Sequence, residues 1–320
     1  MKTVDVLRTN TSPYQAKDFH FREKDALEKI PGIRYLNQMK GTKPQILITN
    51  TQTNLGEFYA ELLEGIELII HPNSGYEHFA PDAHLWKDIP VILGNEIRAP
   101  AVAEYCLRCL FEGAIEFPQH IQWEKARKWD RPLIQGMPIW IFGYGHIGQI
   151  LARTLHALGA QITVVDPYIS ECPYRWVKTW QEGKLSDAKV VMLAMGLNKS
   201  SQRMLDYRFF ENTHPEVLLI NGARGKLIEE NALKDFLPAH PKAFAFLDVF
   251  EKEPFGSEWH HVPQVWKTSH MAGVDSGLDD RIIQFEVKMI SDWLTLGKVG
   301  FIKKHRSNIL QYKYVDGELI

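Results

Sequence analysis

The chain has 320 residues, a formal net charge of −2, and 45% hydrophobic and 24% charged residues. That balance offers no footing for nucleic acid or an anionic membrane, and no run reaches the ~18 apolar residues of a spanning helix. The opening MKTVDVLRTNTSPYQ lacks the apolar core of a signal peptide, and three cysteines cannot build a disulfide framework, so a cytoplasmic protein of two domains is expected.

Up to about residue 98 the pattern alternates strand and helix. Val4 to Leu7 reads as a strand, Arg22 to Ile30 as a helix stopped by Pro31-Gly32, and Gln45 to Thr49 as a strand. Leu55 to Leu63 reads as a helix, and Ile66 to Ile70 and Pro90 to Leu93 as strands. Such alternation predicts a parallel sheet flanked by helices, whose ligands bind beyond the strands' carboxyl ends. The turn His71-Pro72-Asn73-Ser74-Gly75-Tyr76 follows one such end, which makes Ser74 and Gly75 candidates for substrate binding. Ala101 to about Gln122, just after Pro100, reads as one long connecting helix. Cys106 and Cys109 share an apolar stripe with Val102 and Leu110 in it, so they are read as core rather than as metal or redox residues.

The stretch MPIWIFGYGHIGQILAR, residues 137–153, is the most informative. Ile139 to Phe142 predicts a buried strand, and Ile147, Ile150, Leu151, Leu155 and Leu158 a following helix. Gly143, Gly145 and Gly148 lie between and at the start of the helix in G-x-G-x-x-G spacing. Gly143 suits a tight turn, Gly145 the approach of a pyrophosphate and Gly148 close helix–strand packing. The helix N-terminus offers N–H groups to the phosphates. Asp166 ends the next apolar run, where a carboxylate accepts from the adenine-ribose hydroxyls and repels a 2′-phosphate. The reading is a nucleotide site that takes NAD. Gly143, Gly145, His146, Ile147, Gly148 and Asp166 are its candidates, with Ala223 and Asp248 at later strand ends.

The second half repeats strand and helix, with strands expected over Lys189 to Ala194, Glu216 to Ile220, Ala243 to Leu247 and Val265 to Thr268. A helix is expected over Glu229 to Leu237 and a long one over Leu278 to Leu296. Arg224, Glu253 and His270 each follow one of these strands, so a parallel sheet would bring them to one edge. Arg224 can fork a carboxylate, His270 can give or take a proton, and Glu253 can fix the tautomer of His270. Glu251 rivals Glu253 within the same Glu-Lys-Glu run. His71 and His78 flank the Ser74-Gly75 turn and rank below His270, and His260-His261 lack a third ligand, so no metal is proposed.

Together GYGHIG with Asp166, LLINGARGKLIEENAL, AFLDVFEKEP and SHMAG resemble the D-isomer-specific 2-hydroxyacid dehydrogenase family, over most of the chain. The resemblance implies an α/β protein of two Rossmann-like or flavodoxin-like domains, each a parallel sheet flanked by helices, with a cleft between them. Residues 1–98 plus 283–320 would form the substrate domain and 99–282 the inserted NAD-binding domain. It implies an Arg–Glu–His set on Arg224, Glu253 and His270, choosing Glu253 because Pro254 follows it. HPNSGYEHF is similar to the family's carboxylate-binding turn, and AVAEYCL to the start of a helix shared with a homodimer interface. The implied activity is reversible hydride transfer between NADH and a small 2-oxo or D-2-hydroxy acid. Ala194, Gly196 and Asn198 depart from the usual H-x-P-L-T loop along the cofactor, Asn73 stands where glycine is common, and Met271 replaces a smaller residue. The alternatives are an NADH-sensing corepressor-like binding protein and a formate-type dehydrogenase, the second disfavoured by the Glu253–His270 pair.

Overall fold

Short apolar runs and amphipathic stretches alternate along this chain, and the runs build two parallel sheets, with one short antiparallel pair, Tyr314–Val315 with Glu318–Leu319, near the end of the chain. The computed structural model describes residues 3–38, 43–53, 63, 65–76, 86–114, 123, 125, 132–315 and 318–319. The chain divides into one unit of Met1–Arg98 with Val274–Ile320 and a second of Ala99–Gly273. Most of the expected helix at 55–63, His78 and the expected helix beyond Ala114 lie outside the described residues.

The first unit contains β1 (Val4–Arg8), α1 (Phe19–Glu28), β2 (Ile33–Leu36), β3 (Ile46–Ile48), β4 (Leu68–His71) and β5 (Val91–Leu93). Its sheet order is β2-β1-β3-β4-β5, with every pair parallel. Strands β3, β4 and β5 are buried throughout, as strands covered on both faces must be. The edge strand β2 escaped the reading for apolar runs, because only Ile33 and Tyr35 turn inward.

Helix α2 (Asn95–Ala114) carries the chain into the second unit. It starts at Asn95 rather than after Pro100, which lies inside it and lacks the N–H that would reach the Glu96 carbonyl. Cys106 and Cys109 are buried among Val102, Ala103 and Leu110. Burial pushes the Cys109 thiol up to about 11 and that of Cys106 further, so both behave as apolar core.

The second unit runs β6 (Pro138–Phe142), α3 (His146–Ala157), β7 (Gln161–Val165), β8 (Arg175–Val177), β9 (Val190–Leu193), α4 (Tyr207–Asn212), β10 (Leu218–Asn221), α5 (Glu230–Ala239), β11 (Phe244–Leu247) and β12 (Val265–Lys267). The parallel sheet has the order β12-β11-β10-β9-β6-β7-β8. Strand order reverses between β6 and β9, the position where such sheets bind ligands. Side chains of β6 alternate between two cores, Ile139 and Ile141 on one face and Trp140 and Phe142 on the other. Truncating Phe142 to alanine would cost about 3–5 kcal/mol. The three-residue edge strand β8 and the short α4, capped where Asp206 accepts from Phe209 N (2.9 Å), were not anticipated.

The chain returns to the first unit at Val274, and α6 (Leu278–His305) belongs there from its first turn. Leu278, Ile282, Phe285, Met289, Ile290 and Trp293 pack with Val6, Ile48, Ile70 and Ile92. Gly297, at φ +64°, interrupts the helical backbone.

One polar knot is sealed within this unit. Arg8, Glu23 and Glu286 are at most 2% exposed. Arg8 Nε donates to Glu23 Oε1 (2.9 Å), its Nη2 bonds both Glu23 and Glu286, and Tyr35 donates to Glu23 Oε2 (2.5 Å). Two carboxyls thus share one guanidinium. Burial, together with the nearby Glu23, raises Glu286 well above the usual carboxylate range despite Arg8, so it holds its proton. Burial also pushes Glu23 up, but Arg8 and the surrounding hydrogen bonds outweigh it and keep Glu23 ionised. Glu286 Oε2 is buried with no hydrogen-bond partner among the described residues, and a carboxyl group there that keeps its proton leaves no charge stranded.

Candidate active site

The register of the second sheet aligns Val165, Phe142, Leu193, Asn221, Leu247 and Lys267 in a row. The next residue of each strand therefore leaves the sheet at one edge: Asp166, Gly143, Ala194, Gly222, Asp248 and Thr268. Sequence distance is no barrier to their meeting.

Gly143 has φ +96°, and a Cβ on it would lie 2.7 Å from Met195 Cα. A Cβ on Gly148 would lie 2.0 Å from the Gly143 carbonyl oxygen. These two glycines pack the turn. Gly145, the N-cap of α3, would meet nothing within 4 Å, so the space over the helix N-terminus is open to a phosphate. His146 is exposed and Ile147 half-buried on the first turn of α3, while Leu158, expected on its apolar face, is exposed beyond its end.

Asp166 accepts from Tyr144 N (2.8 Å) and Tyr168 N (2.9 Å), which ties the glycine turn to the end of β7. A cavity of about 460 Å³ opens beside it, lined by Gly143, Asp166, Tyr168, Lys178, Met195, Gly196, Ser201, Arg203 and Arg208 among others. Its volume suits a nucleoside, and the open glycine turn leads to it, so these residues fit a dinucleotide. Arg175 does not line it. The atypical loop after β9 is held by its own side chains. Asn198 Oδ1 accepts from Ser200 N and Ser201 N (both 2.9 Å), and Ser201 Oγ donates to the Gly196 carbonyl (2.9 Å).

Glu253, His270 and Arg224 lie along the same edge. Glu253 Oε2 is 2.7 Å from His270 Nδ1, and its Oε1 accepts from Phe250 N (3.1 Å). Burial pushes the Glu253 carboxyl up, but the bonds to His270 and Phe250 and the charge of Arg224 prevail and hold it below the usual range. Glu251 is committed elsewhere, to Arg203 (2.7 Å), which also reaches Glu229 (3.2 Å). Arg224 is half-buried, with Nη1 on the Ala223 carbonyl (2.7 Å). A Cβ on Gly225 would lie 1.9 Å from the Phe250 carbonyl carbon, so the turns carrying Arg224 and Glu253 touch backbone to backbone. Ala223 is buried, its N–H on Asn221 Oδ1 (3.0 Å).

His270 has φ +55°, a left-handed conformation that costs a non-glycine residue about 1–3 kcal/mol. Asp248 over-determines it. The Asp248 carbonyl accepts from His270 N (2.7 Å). Its buried carboxylate accepts from Thr268 Oγ1 (2.6 Å), Met271 N (2.8 Å) and Ala272 N (2.8 Å). Three of its roughly four acceptor sites are taken, so we read Asp248 first as the anchor of the His270 turn. Arg203 is the residue sequence reasoning missed, since its pairing across three segments leaves no local signal. Trp259 is core, packed on Phe250.

In the first unit, Ser74 is half-buried and Gly75 buried. Arg98 donates to the Pro72 carbonyl (2.9 Å) and Gly94 N to that of His71 (2.8 Å), and a Cβ on Gly94 would strike Pro72 at 2.7 Å. His71 is fully buried, bonded to Thr49 and to the Gly75 carbonyl.

Residues 105–272 match the family model for the D-isomer specific 2-hydroxyacid dehydrogenase, NAD binding domain. The chain is 27% identical to (S)-sulfolactate dehydrogenase of Chromohalobacter salexigens, over 81% of this chain and 84% of that protein. It is 26% identical to D-3-phosphoglycerate dehydrogenase of Mycobacterium tuberculosis over 68% of this chain, but spans only 43% of that protein. D-lactate dehydrogenase of Aquifex aeolicus, solved with NAD and lactic acid, shares the fold at a TM-score of 0.70 and 19% identity, over 96% of this chain and 99% of that one. The chain therefore belongs to the D-isomer specific 2-hydroxyacid dehydrogenase family and binds NAD through its second unit.

Proposed function

We propose that this protein reversibly reduces a small 2-oxo acid to its D-2-hydroxy acid. The observation that carries the reading is the 2.7 Å His270–Glu253 pair beside the Arg224 turn. Bound NADH supplies the hydride. His270 Nδ1 is occupied by Glu253, so Nε2 is the atom that gives a proton to the developing alkoxide and takes it back in oxidation. Arg224 holds the substrate carboxylate and polarises the carbonyl, and Glu253 holds the ring in one orientation. In the first unit, the Ser74-Gly75 turn offers backbone amides suited to a carboxylate. Gly143, Gly145, His146, Ile147, Gly148, Asp166 and Ala223 line the cofactor path, and Asp248 fixes the His270 turn. Asp166 favours NAD over NADP, opposed by Lys178 and Arg208, while Arg203 is already paired with Glu251 and Glu229.

The named relatives act on 2-hydroxy acids that differ beyond the second carbon, which supports the reaction class and leaves the side group open. A homodimer built through α2 and a cytoplasmic location complete the reading. The test is NADH oxidation over glyoxylate, hydroxypyruvate, pyruvate and bulkier 2-oxo acids, with NADPH alongside. Turnover of at least one acid to its D-isomer, faster with NADH, is expected. Tight NADH binding without turnover of any acid would overturn the enzymatic reading in favour of an NADH sensor.

A further inference from the structure

The turn bearing Ser74 and Gly75 is hung from one imidazole. His71 ends β4 and is 0% exposed. Its Nδ1 lies 2.9 Å from Thr49 Oγ1 and its Nε2 2.9 Å from the Gly75 carbonyl oxygen. A carbonyl only accepts, so Nε2 carries the proton. On a neutral ring Nδ1 is then the acceptor, and the Thr49 hydroxyl, 2.9 Å from it and 3.5 Å from the Ile70 carbonyl oxygen, donates to the nearer of the two. Thr49, just past the end of β3, thereby selects the tautomer that Gly75 needs.

The consequence follows from peptide geometry. In a planar trans peptide the C=O and N–H point in opposite directions. The only cis peptide among the described residues is Glu253–Pro254, so the Gly75–Tyr76 peptide is trans. Drawing the Gly75 carbonyl toward His71 aims the Tyr76 N–H away from it. Arg98 and Gly94 fix the start of the turn, at Pro72 and His71, and His71 fixes its end. No substrate contact of the ring itself is needed.

We propose that His71 is a positioning residue for substrate binding. By holding the Gly75 carbonyl inward it presents the amide of the Gly75–Tyr76 peptide to the substrate carboxylate. The proposal rests on the reading of this turn as the carboxylate site. It distinguishes two halves of one ring: Nε2 sets the amide, and Nδ1 sets only the tautomer.

Two amide variants separate those halves. The side-chain nitrogen of His71→Gln reaches the place of Nε2, and that of His71→Asn the place of Nδ1. With NADH and the 2-oxo acid the wild type turns over fastest, His71→Asn should raise KM about tenfold or more, the worth of one hydrogen bond to a charged group. Its kcat and its NADH dissociation constant should stay within about twofold. His71→Gln should restore KM to within about threefold of wild type. Thr49→Val, which removes the hydroxyl and leaves the turn untouched, should raise KM by a smaller factor and keeps the test open if His71→Asn fails to fold. Equal KM values in His71→Asn, His71→Gln and wild type, with the wild type active, overturn the proposal alone. A fall in kcat that tracks a fall in Tm across the variants also overturns it, by showing a merely structural role. A wild type inert toward every 2-oxo acid overturns the carboxylate reading and the proposal together.

Discussion

Each unit sets one arginine beside a glutamate and a further titratable side chain in contrasting surroundings: Arg224, Glu253 and His270 in the second, Arg8, Glu23 and Glu286 in the first. In the second unit the His270 and Glu253 side chains are 55% and 37% exposed, on loops at the carboxyl edge of a sheet. In the first, Glu23 and Glu286 are fully buried around Arg8. An exposed ion pair adds only about 0–1 kcal/mol to stability, so the His270–Glu253 pair is not what holds its unit together. The sealed knot is the reverse. It ties β1, α1 and α6 into one core, and its removal in part would strand a charge in a dry interior. Similar ingredients are thus open to solvent and substrate on loops at a sheet edge, and structural where nothing can reach them.

The contrast is sharpest in substitutions that should move one property and spare the other. His270→Gln should lower kcat by about 10²- to 10⁴-fold with Tm and NADH binding near wild type, measured by steady-state kinetics and fluorescence titration. Unchanged kcat would remove His270 from the chemistry. Arg8→Leu should cost about 3–5 kcal/mol by denaturant unfolding, while kcat and KM measured well below the transition stay close to wild type. A large loss of kcat in the still-folded variant would break the division between the two clusters.

The smallest effect is one of slope. Glu286 keeps its proton in the folded chain and loses it near pH 4.3 when unfolded. Its contribution to stability is fully present below that pH and is lost as pH rises through its folded value. Glu286→Gln is neutral at every pH and keeps an N–H donor in the same place. The Tm of this variant minus that of wild type should therefore grow from pH 5 to pH 8, and a flat difference would show that Glu286 is ionised in the fold.

The glycine turn was readable because Gly143, Gly148 and the β6 apolar run each carry a local requirement that one stretch of sequence displays. That Arg224, Glu253 and His270 leave the sheet at one edge was readable from the order of strands in a parallel sheet. Glu251 and Glu253 could not be separated by local composition; Arg203, folded in from a distant loop, separates them. Edge strands β2 and β8 were missed because half their residues face solvent and break the apolar run. Pro100 misplaced the start of α2, since a proline reads as a boundary when tertiary packing has instead carried a helix through it. The acidic side chain of Asp248 looks in sequence like any cofactor-facing carboxylate, and its engagement with the 268–272 turn appears only when the turn is folded over it.

That engagement has a consequence in time. For the His270 loop to rearrange, Asp248 must first give up three donors while still buried, at a cost of several kcal/mol. Exposed loops ordinarily reshape within nanoseconds to microseconds. Here the side chain meets solvent like a loop residue, but its backbone is tied to Asp248 at the end of the strand beneath it. The proposed proton donor is thereby held in place before substrate arrives.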